Sequence, residues 1–182
     1  MDPARKIDGV AVRSIFELPR TTGVSHLGKS RVDTNAQGKP VPDDMFVAIF
    51  YGILHTDTGE LEYCLGGHNP PYVLSSSGDV HNIDTPVSLI VGTFEGAQFE
   101  TGHTQLTPGD CLFLFTDGVP EAIDSNGVEF TEERLSTVLH RTIGSPVEQI
   151  VASVIDEVRI FSTGTAQSDD ITAMALRYCG TE

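Results

Sequence analysis

The fold of this chain is decided by residues 109–118, which have the sequence GDCLFLFTDG. Its five central residues, 111–115, are all apolar. A run this short favours a strand buried on both faces over a helix. Turn residues precede the run, and Asp117-Gly118 forms a turn after it. A carboxylate at the end of a buried strand is costly unless a cation meets it. Asp117 therefore either caps the following turn or serves a cation.

A second acidic site, SDDIT at residues 168–172, opens the last predicted strand, residues 171–176. Side chains alternate between the two faces of a strand, so Asp169 and Asp170 cannot serve one site in the same way. Asp117 and Asp169 would repel each other if they met without a cation. Because oxygen ligands select magnesium, manganese or calcium, this pair is a candidate metal site. The plain alternative is two unrelated acidic strand ends.

Composition narrows the class of protein. The chain has 182 residues, of which 26 are acidic and 11 basic, giving a formal net charge of −15. This balance disfavours nucleic acids and anionic membrane surfaces as partners. The three cysteines are far apart, which predicts neither a zinc knuckle nor a disulfide framework. The N-terminus lacks the apolar core of a signal peptide, and no apolar run approaches the ~20 residues that span a bilayer. We therefore expect a cytoplasmic protein without membrane insertion.

From residue 45 the pattern indicates β structure. Short apolar runs separated by turns that contain glycine predict an antiparallel meander. Besides the two strands above, the predicted strands are residues 45–54, 61–65, 72–74, 80–83 and 99–106. The first two of these form a hairpin in which Gly59 is available for a positive φ.

Two amphipathic helices are predicted between the strands. The first begins with Thr131 as its N-cap. The second has Ser145 as N-cap, Pro146 at its first position and Glu148 completing a capping box. The apolar stripes are Leu135, Val138 and Leu139 in the first helix, and Val147, Ile150, Val151, Val154, Ile155 and Val158 in the second. The wide stripe of the second helix must cover a sheet, so the predicted class is α+β.

In the N-terminal part, the apolar residues follow no clear helical or strand period. We predict an irregular segment over residues 1–44, in which residues 10–18 suit either a strand or a short helix. Residues 45–180 then form a single domain. A connection this long is unusual inside a compact domain, so this segment is either mobile or not the natural beginning of the domain.

Six motifs, in this order, resemble the bacterial branch of the metal-dependent PPM-type serine/threonine protein phosphatases. This branch is typified by the stage II sporulation protein E phosphatase and by the phosphatases of stress-sigma-factor pathways. The motifs are MFV at 45–47, YG at 51–52, GGHNPP at 66–71, PGD at 108–110, TDGVPEA at 116–122 and SDDIT at 168–172. The resemblance covers residues 45–178. It implies an antiparallel β-sandwich flanked by helices, and hydrolysis of phosphoserine or phosphothreonine by a water that two manganese or magnesium ions activate.

The resemblance also implies roles for individual residues. Asp117 and Asp169 correspond to metal-binding aspartates, and Asp170 to a neighbour that orients them or hydrogen-bonds. Further candidates, beside the metals or the substrate, are Gly118, His68 and Asn69. For the last two, a turn fixed by side-chain hydrogen bonds is the simpler interpretation. No catalytic group is implied beyond the water that the metals activate.

Two upstream signatures of the family are not found in the sequence. One is a Gly-Asp with a Tyr-Asp-like pair, and the other is a Gly-Asp-Val-Ser-Gly-type loop; residues 7–10, IDGV, lack the context of either. These signatures supply the aspartate that bridges the metals, another ligand and a backbone carbonyl. We therefore expect that the chain starts inside the domain, without its first strands and about half of the metal site.

Two functions from different classes remain. The first is an enzyme, a protein phosphatase whose partner is a phosphorylated regulatory protein such as an anti-sigma-factor antagonist. The second is an incomplete, phosphatase-like module that binds such a partner without hydrolysis. We also expect an upstream sensor domain, and a dimer through the sheet edge that missing strands would leave open.

Overall fold

The computed structural model describes residues 7–15, 47–86, 89–92, 96–167 and 169–180. The elements in chain order are β1 (Ile7–Ile15), β2 (Ile49–His55), β3 (Glu60–Gly66), β4 (Tyr72–Leu74), β5 (Val80–Asn82), β6 (Gly102–Gln105), β7 (Cys111–Phe115), α1 (Thr131–Arg141), α2 (Val147–Phe161) and β8 (Ile171–Tyr178). The strands form a five-stranded sheet in the order β1-β8-β7-β4-β5 and a three-stranded sheet in the order β2-β3-β6. Adjacent strands in both sheets are antiparallel.

Strand β7 is the middle strand of the larger sheet, and it is buried on both faces as predicted. Phe113 and Phe115 pack into the core that lies between this sheet and the helices. Leu112 faces the opposite way and packs with Leu61 and Tyr63 of the smaller sheet. The run is continuously apolar because each face of the strand meets a different layer of the protein.

The protein therefore has three layers: the two helices, the five-stranded sheet and the three-stranded sheet. All six residues of the predicted stripe on α2 are at most 2% exposed, and the three residues of the α1 stripe are buried. These observations confirm the predicted α+β class, the antiparallel sandwich and the helical faces. Helical periodicity identified the faces because a residue's direction from a helix depends only on local geometry.

The predicted meander is wrong in its connections. Strands β6 and β7 follow each other in sequence but lie in different sheets, and β8 lies between β1 and β7. The predicted strand over 45–54 begins at Ile49, and that over 99–106 is confined to Gly102–Gln105. Residues 45 and 46 lie outside the described ranges. Apolar alternation indicates which face of a strand is buried, but it does not indicate which strand lies beside it.

Part of the N-terminal segment that we predicted to be irregular is a strand. Residues 7–15 form β1, which pairs with β8 so that Ile15 lies opposite Ile171. The strand alternative for residues 10–18 is thus confirmed over 10–15. The rest of the segment, residues 1–6 and 16–44, lies outside the described residues. The domain boundary at residue 45 and the absence of the first strands stay predictions.

Strand β2 is the outer strand of the smaller sheet in the part of the chain that the structure describes. Ile49, Tyr51 and Ile53 on this strand are 45%, 61% and 46% exposed. An apolar outer strand is a surface on which another strand can pair. A dimer through this edge stays a prediction. No described helix is long and apolar enough to cross a membrane.

Both predicted helix caps are wrong. Neither α1 nor α2 has a side-chain hydrogen bond at its cap, and α2 begins at Val147 with Pro146 in the cap position. The start of α1 is fixed instead by backbone bonds to the preceding loop, because the Thr131 N–H donates to the Pro120 carbonyl at 2.8 Å. Sequence alone does not reveal this loop contact.

Thr131 has a φ of +69°, in the left-handed region that β-branched residues avoid. Because its side chain is exposed, Thr131→Gly should relieve this strain and raise the free energy of unfolding by about 1 kcal/mol. Thr137→Gly is the matched control, since Thr137 is also exposed but lies in the interior of α1, where glycine lowers stability. Urea unfolding of both variants tests the prediction, and a loss of stability in Thr131→Gly would contradict it.

Candidate functional site

The two predicted acidic sites lie at the same end of the five-stranded sheet. Strands β7 and β8 are antiparallel, and Phe115 at the end of β7 lies opposite Ala173 near the start of β8. Asp117 follows β7 by two residues, and Asp169 precedes β8 by two residues. The pairing of these strands therefore brings the two acidic loops to one edge.

Thr116 ties the two loops together. Its N–H donates to the Thr172 carbonyl at 3.0 Å, and its Oγ1 donates to the Asp170 carbonyl at 2.8 Å. The same oxygen accepts the Thr172 N–H at 2.9 Å. In the sequence, Thr116 stands out only as the first residue of the TDGVPEA motif. A threonine directly after a buried strand was the available signal, but its partners are more than 50 residues away.

Gly118 lets the backbones of the two loops approach closely. A Cβ at this position would lie 2.6 Å from the Asp170 carbonyl oxygen, closer than real Cβ atoms approach an oxygen. Gly118 is buried, whereas its neighbour Asp117 is exposed. The absence of a side chain at residue 118 therefore sets the separation between the loops.

One oxygen of each acidic side chain is held by a local hydrogen bond. Asp117 Oδ1 accepts the Gly118 N–H at 3.0 Å, and Asp169 Oδ1 accepts the Asp170 N–H at 2.7 Å. Among the residues that the structure describes, Oδ2 of Asp117 and Oδ2 of Asp169 accept no hydrogen bond. Gln167 steadies the second loop by donating to the Asp169 carbonyl at 2.6 Å. Each carboxylate thus has an anchored oxygen and a second, available one.

The three aspartates do not form a closed ligand set by themselves. In the described ranges, one group of three His, Cys, Asp or Glu side chains has ligand atoms close enough to hold an ion, and it lies elsewhere, on the smaller sheet. Asp117, Asp169 and Asp170 are all exposed. Magnesium and manganese prefer about six oxygen ligands, so this pair of loops provides part of a coordination shell.

The loop that carries His68 and Asn69 lies at the same end of the sheet. Because Tyr72 pairs with Phe113, the residues just before Tyr72 run towards the end of β7. His68 Nδ1 lies 2.7 Å from the Asn69 carbonyl oxygen, within its own turn. A role for either residue beside the substrate stays a prediction.

A cavity of about 290 Å³ lies beside the two acidic loops. Its wall includes Gly118, Arg159, Thr165 and Gln167, so it adjoins both loops and the C-terminal end of α2. The Thr165 hydroxyl oxygen is buried and makes no hydrogen bond to the described residues. The site thus combines exposed carboxylates with a neighbouring space that contains polar side chains and one arginine.

Comparison with known proteins identifies the family. The family model for stage II sporulation protein E (SpoIIE) matches residues 25–178. The chain belongs to the SpoIIE family. The match begins 20 residues before the predicted domain boundary at residue 45.

Two curated relatives are similar over most of this SpoIIE-family chain. Protein IcfG of Synechocystis sp. is 30% identical over 132 residues, which are 72% of this chain and 20% of IcfG. The phosphoserine phosphatase RsbU of Bacillus subtilis is 25% identical over 138 residues, which are 75% of this chain and 40% of RsbU. The chain therefore spans about a fifth and two fifths of the lengths of these relatives.

Solved structures of SpoIIE from Bacillus subtilis share the fold. The PP2C phosphatase domain with a fragment of the regulatory domain has a TM-score of 0.65 at 18% identity. The alignment covers 78% of this chain and 40% of the SpoIIE chain. The phosphatase domain presoaked with Mn has a TM-score of 0.59 at 18% identity. The alignment covers 75% of this chain and 58% of the SpoIIE chain. Together with the family match, this likeness confirms the predicted relationship to PPM phosphatases. The chain thus has the fold of the SpoIIE phosphatase domain.

Proposed function

We propose that this domain hydrolyses phosphoserine or phosphothreonine on a regulatory protein, with Asp117 and Asp169 as ligands of Mn²⁺ or Mg²⁺. The observation that carries the proposal is the pair of exposed carboxylates on loops that Thr116 holds together. Two similarities support it: RsbU is a phosphoserine phosphatase, and the SpoIIE phosphatase domain was studied with Mn. An anti-sigma-factor antagonist is the kind of substrate that we expect.

The donor chemistry of the two loops fits hard divalent cations. Asp117 and Asp169 offer only oxygen atoms, and the hydrogen bond at each Oδ1 fixes the carboxylate while Oδ2 stays available. Oxygen ligands favour Mg²⁺ or Mn²⁺ over zinc or copper. Asp170 takes part through its backbone, since its carbonyl accepts the Thr116 hydroxyl and thereby orients Asp169.

The residues of the chain would prepare the site for a phosphate group. Divalent ions, when bound, neutralise charge on phosphoryl oxygens and lower the pKa of a water molecule. Asp117 and Asp169 provide the negative charge that holds such cations. Gly118 keeps the loops close, and the adjoining cavity provides space for a phosphorylated side chain.

Binding of Mn²⁺ tests the site independently of hydrolysis. Paramagnetic broadening of amide NMR signals should begin at residues 116–118 and 169–172 as Mn²⁺ is added to the purified chain. Because each aspartate donates directly, Asp117→Asn and Asp169→Asn should each weaken Mn²⁺ binding by about tenfold or more. Asp79→Asn is the control, since Asp79 is exposed and lies at the β4–β5 turn. Broadening that is unaffected by either variant would contradict the assignment.

Hydrolysis is measured on the same proteins with an aryl phosphate and a phosphoserine peptide. A manganese-dependent rate that Asp117→Asn abolishes and Asp79→Asn preserves supports the phosphatase. The second candidate function, a binding module, is favoured by the incomplete ligand set at residues 117–170 in the described part of the chain. Mn²⁺ binding at Asp117 and Asp169 without any hydrolysis would support that module and contradict the enzyme.

A further inference from the structure

A second group of metal-ligating side chains lies on the outer face of the three-stranded sheet. On β3, Leu61 and Tyr63 are buried against the larger sheet, so Glu60 and Glu62 point outwards. His55 on β2 pairs with Glu60, and His103 on β6 pairs with Glu62. We call these four residues, His55, Glu60, Glu62 and His103, the His–Glu quartet. The quartet draws ligands from all three strands of the sheet.

Three side chains of the quartet, Glu60, Glu62 and His103, already converge, and His55 lies outside this group in contact with Glu62. His55 Nε2 lies 3.0 Å from Glu62 Oε1, and His103 Nδ1 lies 3.5 Å from Glu60 Oε1. The ligand atoms of Glu60, Glu62 and His103 all lie within 4.8 Å of one another. Around a tetrahedral zinc with bonds of about 2.0–2.2 Å, ligand atoms are about 3.3–3.6 Å apart. Small rotations of the solvent-accessible glutamates bring Glu60, Glu62 and His103 to this separation, and a rotation of the exposed His55 side chain adds the fourth ligand.

We propose that the His–Glu quartet is a binding site for a transition-metal ion, with Zn²⁺ as the ion that it fits best. Two imidazoles and two carboxylates form a mixed nitrogen and oxygen donor set, which suits zinc, whereas Mg²⁺ and Mn²⁺ prefer oxygen alone. The quartet thus differs in chemistry from the Asp117–Asp169 pair. An ion held there would join β2, the exposed outer strand, to β3 and β6.

The chain contains a natural control for this proposal. His81 Nδ1 lies 3.1 Å from Asp79 Oδ2, so it also forms an exposed histidine–carboxylate contact. In the part of the chain that the structure describes, no further ligating side chain joins that pair to make a group of three. If such contacts were only ion pairs, His81 and His103 would behave alike towards zinc.

Zinc titration of the tag-free, EDTA-treated chain tests the quartet, with a chromophoric chelator as competitor. We expect one Zn²⁺ per chain, and about tenfold or greater weakening in His55→Asn and in His103→Asn. His81→Asn should bind zinc like the wild type. All three histidines are exposed, so these variants should fold normally.

The zinc test is independent of the proposed phosphatase site. Asp117→Asn should retain wild-type zinc affinity, and zinc should slow amide hydrogen exchange in β2 of the wild type but not of His103→Asn. Equal zinc affinity of the wild type and the His55→Asn/His103→Asn double variant would overturn the proposal. Loss of zinc binding in Asp117→Asn or His81→Asn would overturn it as well.

Discussion

Replacing Asp110 by alanine should lower the free energy of unfolding by about 4 kcal/mol. Asp110 is 4% exposed, and its carboxylate accepts three hydrogen bonds. These come from the Ser76 N–H at 2.7 Å, the Thr107 N–H at 2.8 Å and the Thr107 hydroxyl at 2.8 Å. Alanine removes a hydrogen-bonded charge and leaves these partly buried donors without their acceptor. Urea unfolding at neutral pH measures the loss.

The same carboxylate should make stability depend on pH. Burial raises the pKa of Asp110, but the donors from Ser76 and Thr107 outweigh burial and hold the pKa below its ordinary value. A carboxylate with a lowered folded-state pKa stabilises the protein above the unfolded-state pKa of about 3.9. That contribution is lost as the pH falls from there through the folded-state pKa.

Two variants provide the controls for Asp110. Asp110→Asn keeps the shape but not the charge, so its stability should lose this acid-dependent component below about pH 4. Asp79→Asn removes an exposed carboxylate and should change stability by less than about 0.5 kcal/mol. A loss below 1 kcal/mol in Asp110→Ala, or an unchanged pH profile in Asp110→Asn, would show that the three hydrogen bonds do not stabilise the fold.

Asp110 also shows how far a sequence pattern can be followed. The residues Pro108-Gly109-Asp110 predicted a turn, and the local bonds to Thr107 belong to that turn. The bond to Ser76 joins this turn to another one 34 residues earlier. Turn chemistry depends on neighbouring residues, whereas the meeting of two turns depends on the pairing of β4 with β7. The turn could therefore be predicted from the sequence, whereas the contact between the two turns could not.

The same distinction separates the correct and incorrect predictions of the fold. The buried stripe of α2 and the double burial of β7 follow from residues within single elements, and both are confirmed. The order of strands is a long-range property, and the predicted meander missed the place of β8 beside β1. The cap predicted at Thr131 failed because a backbone bond to the preceding loop fixes the start of α1, and the cap predicted at Ser145 failed because α2 has no side-chain cap bond and Pro146 takes the cap position.

The same difference between local patterns and long-range strand pairing applies to the candidate sites. Asp117 and Asp169 could be predicted as site residues from motifs. The hydrogen bond from Thr116 to the Asp170 carbonyl, in contrast, depends on the register of β7 and β8. Neither His55 nor His103 was a candidate site residue in the sequence. The contact of His55 with Glu62 follows from the β2–β3 hairpin, whereas the approach of His103 to Glu60 needs the register between β3 and β6, strands about 40 residues apart in sequence. For His103, alternation along β3 was the only signal available.

Replacing Gly118 by alanine should both destabilise the protein and disrupt the acidic site. The new Cβ would lie 2.6 Å from the Asp170 carbonyl oxygen and 3.3 Å from that of Asp169. Backbone atoms cannot rotate away as side chains do, so the two loops must separate. We expect a loss of about 3 kcal/mol in the free energy of unfolding, the upper part of the range for overpacking.

Separation of the loops should weaken Mn²⁺ binding even under conditions where the Gly118→Ala variant is still folded. Asp117 and Asp169 keep their carboxylates in Gly118→Ala, but the distance between their loops changes. Displaced supporting groups lower metal affinity by about 10- to 100-fold, so we expect Mn²⁺ binding to fall by about a hundredfold. The same NMR titration measures this, at a temperature where circular dichroism shows the variant to be folded.

Gly52→Ala distinguishes this steric effect from glycine replacement in general. A Cβ at Gly52 meets only side-chain atoms, Phe50 at 3.0 Å and Leu61 at 3.2 Å, and these can rotate. Gly52→Ala should therefore change stability by less than about 1 kcal/mol and leave Mn²⁺ binding intact. If Gly118→Ala also binds Mn²⁺ normally, the close approach at residue 118 does not position the carboxylates. Weak Mn²⁺ binding in a stably folded Gly118→Ala would instead show that a residue without a side-chain ligand controls the site through the spacing of its two loops.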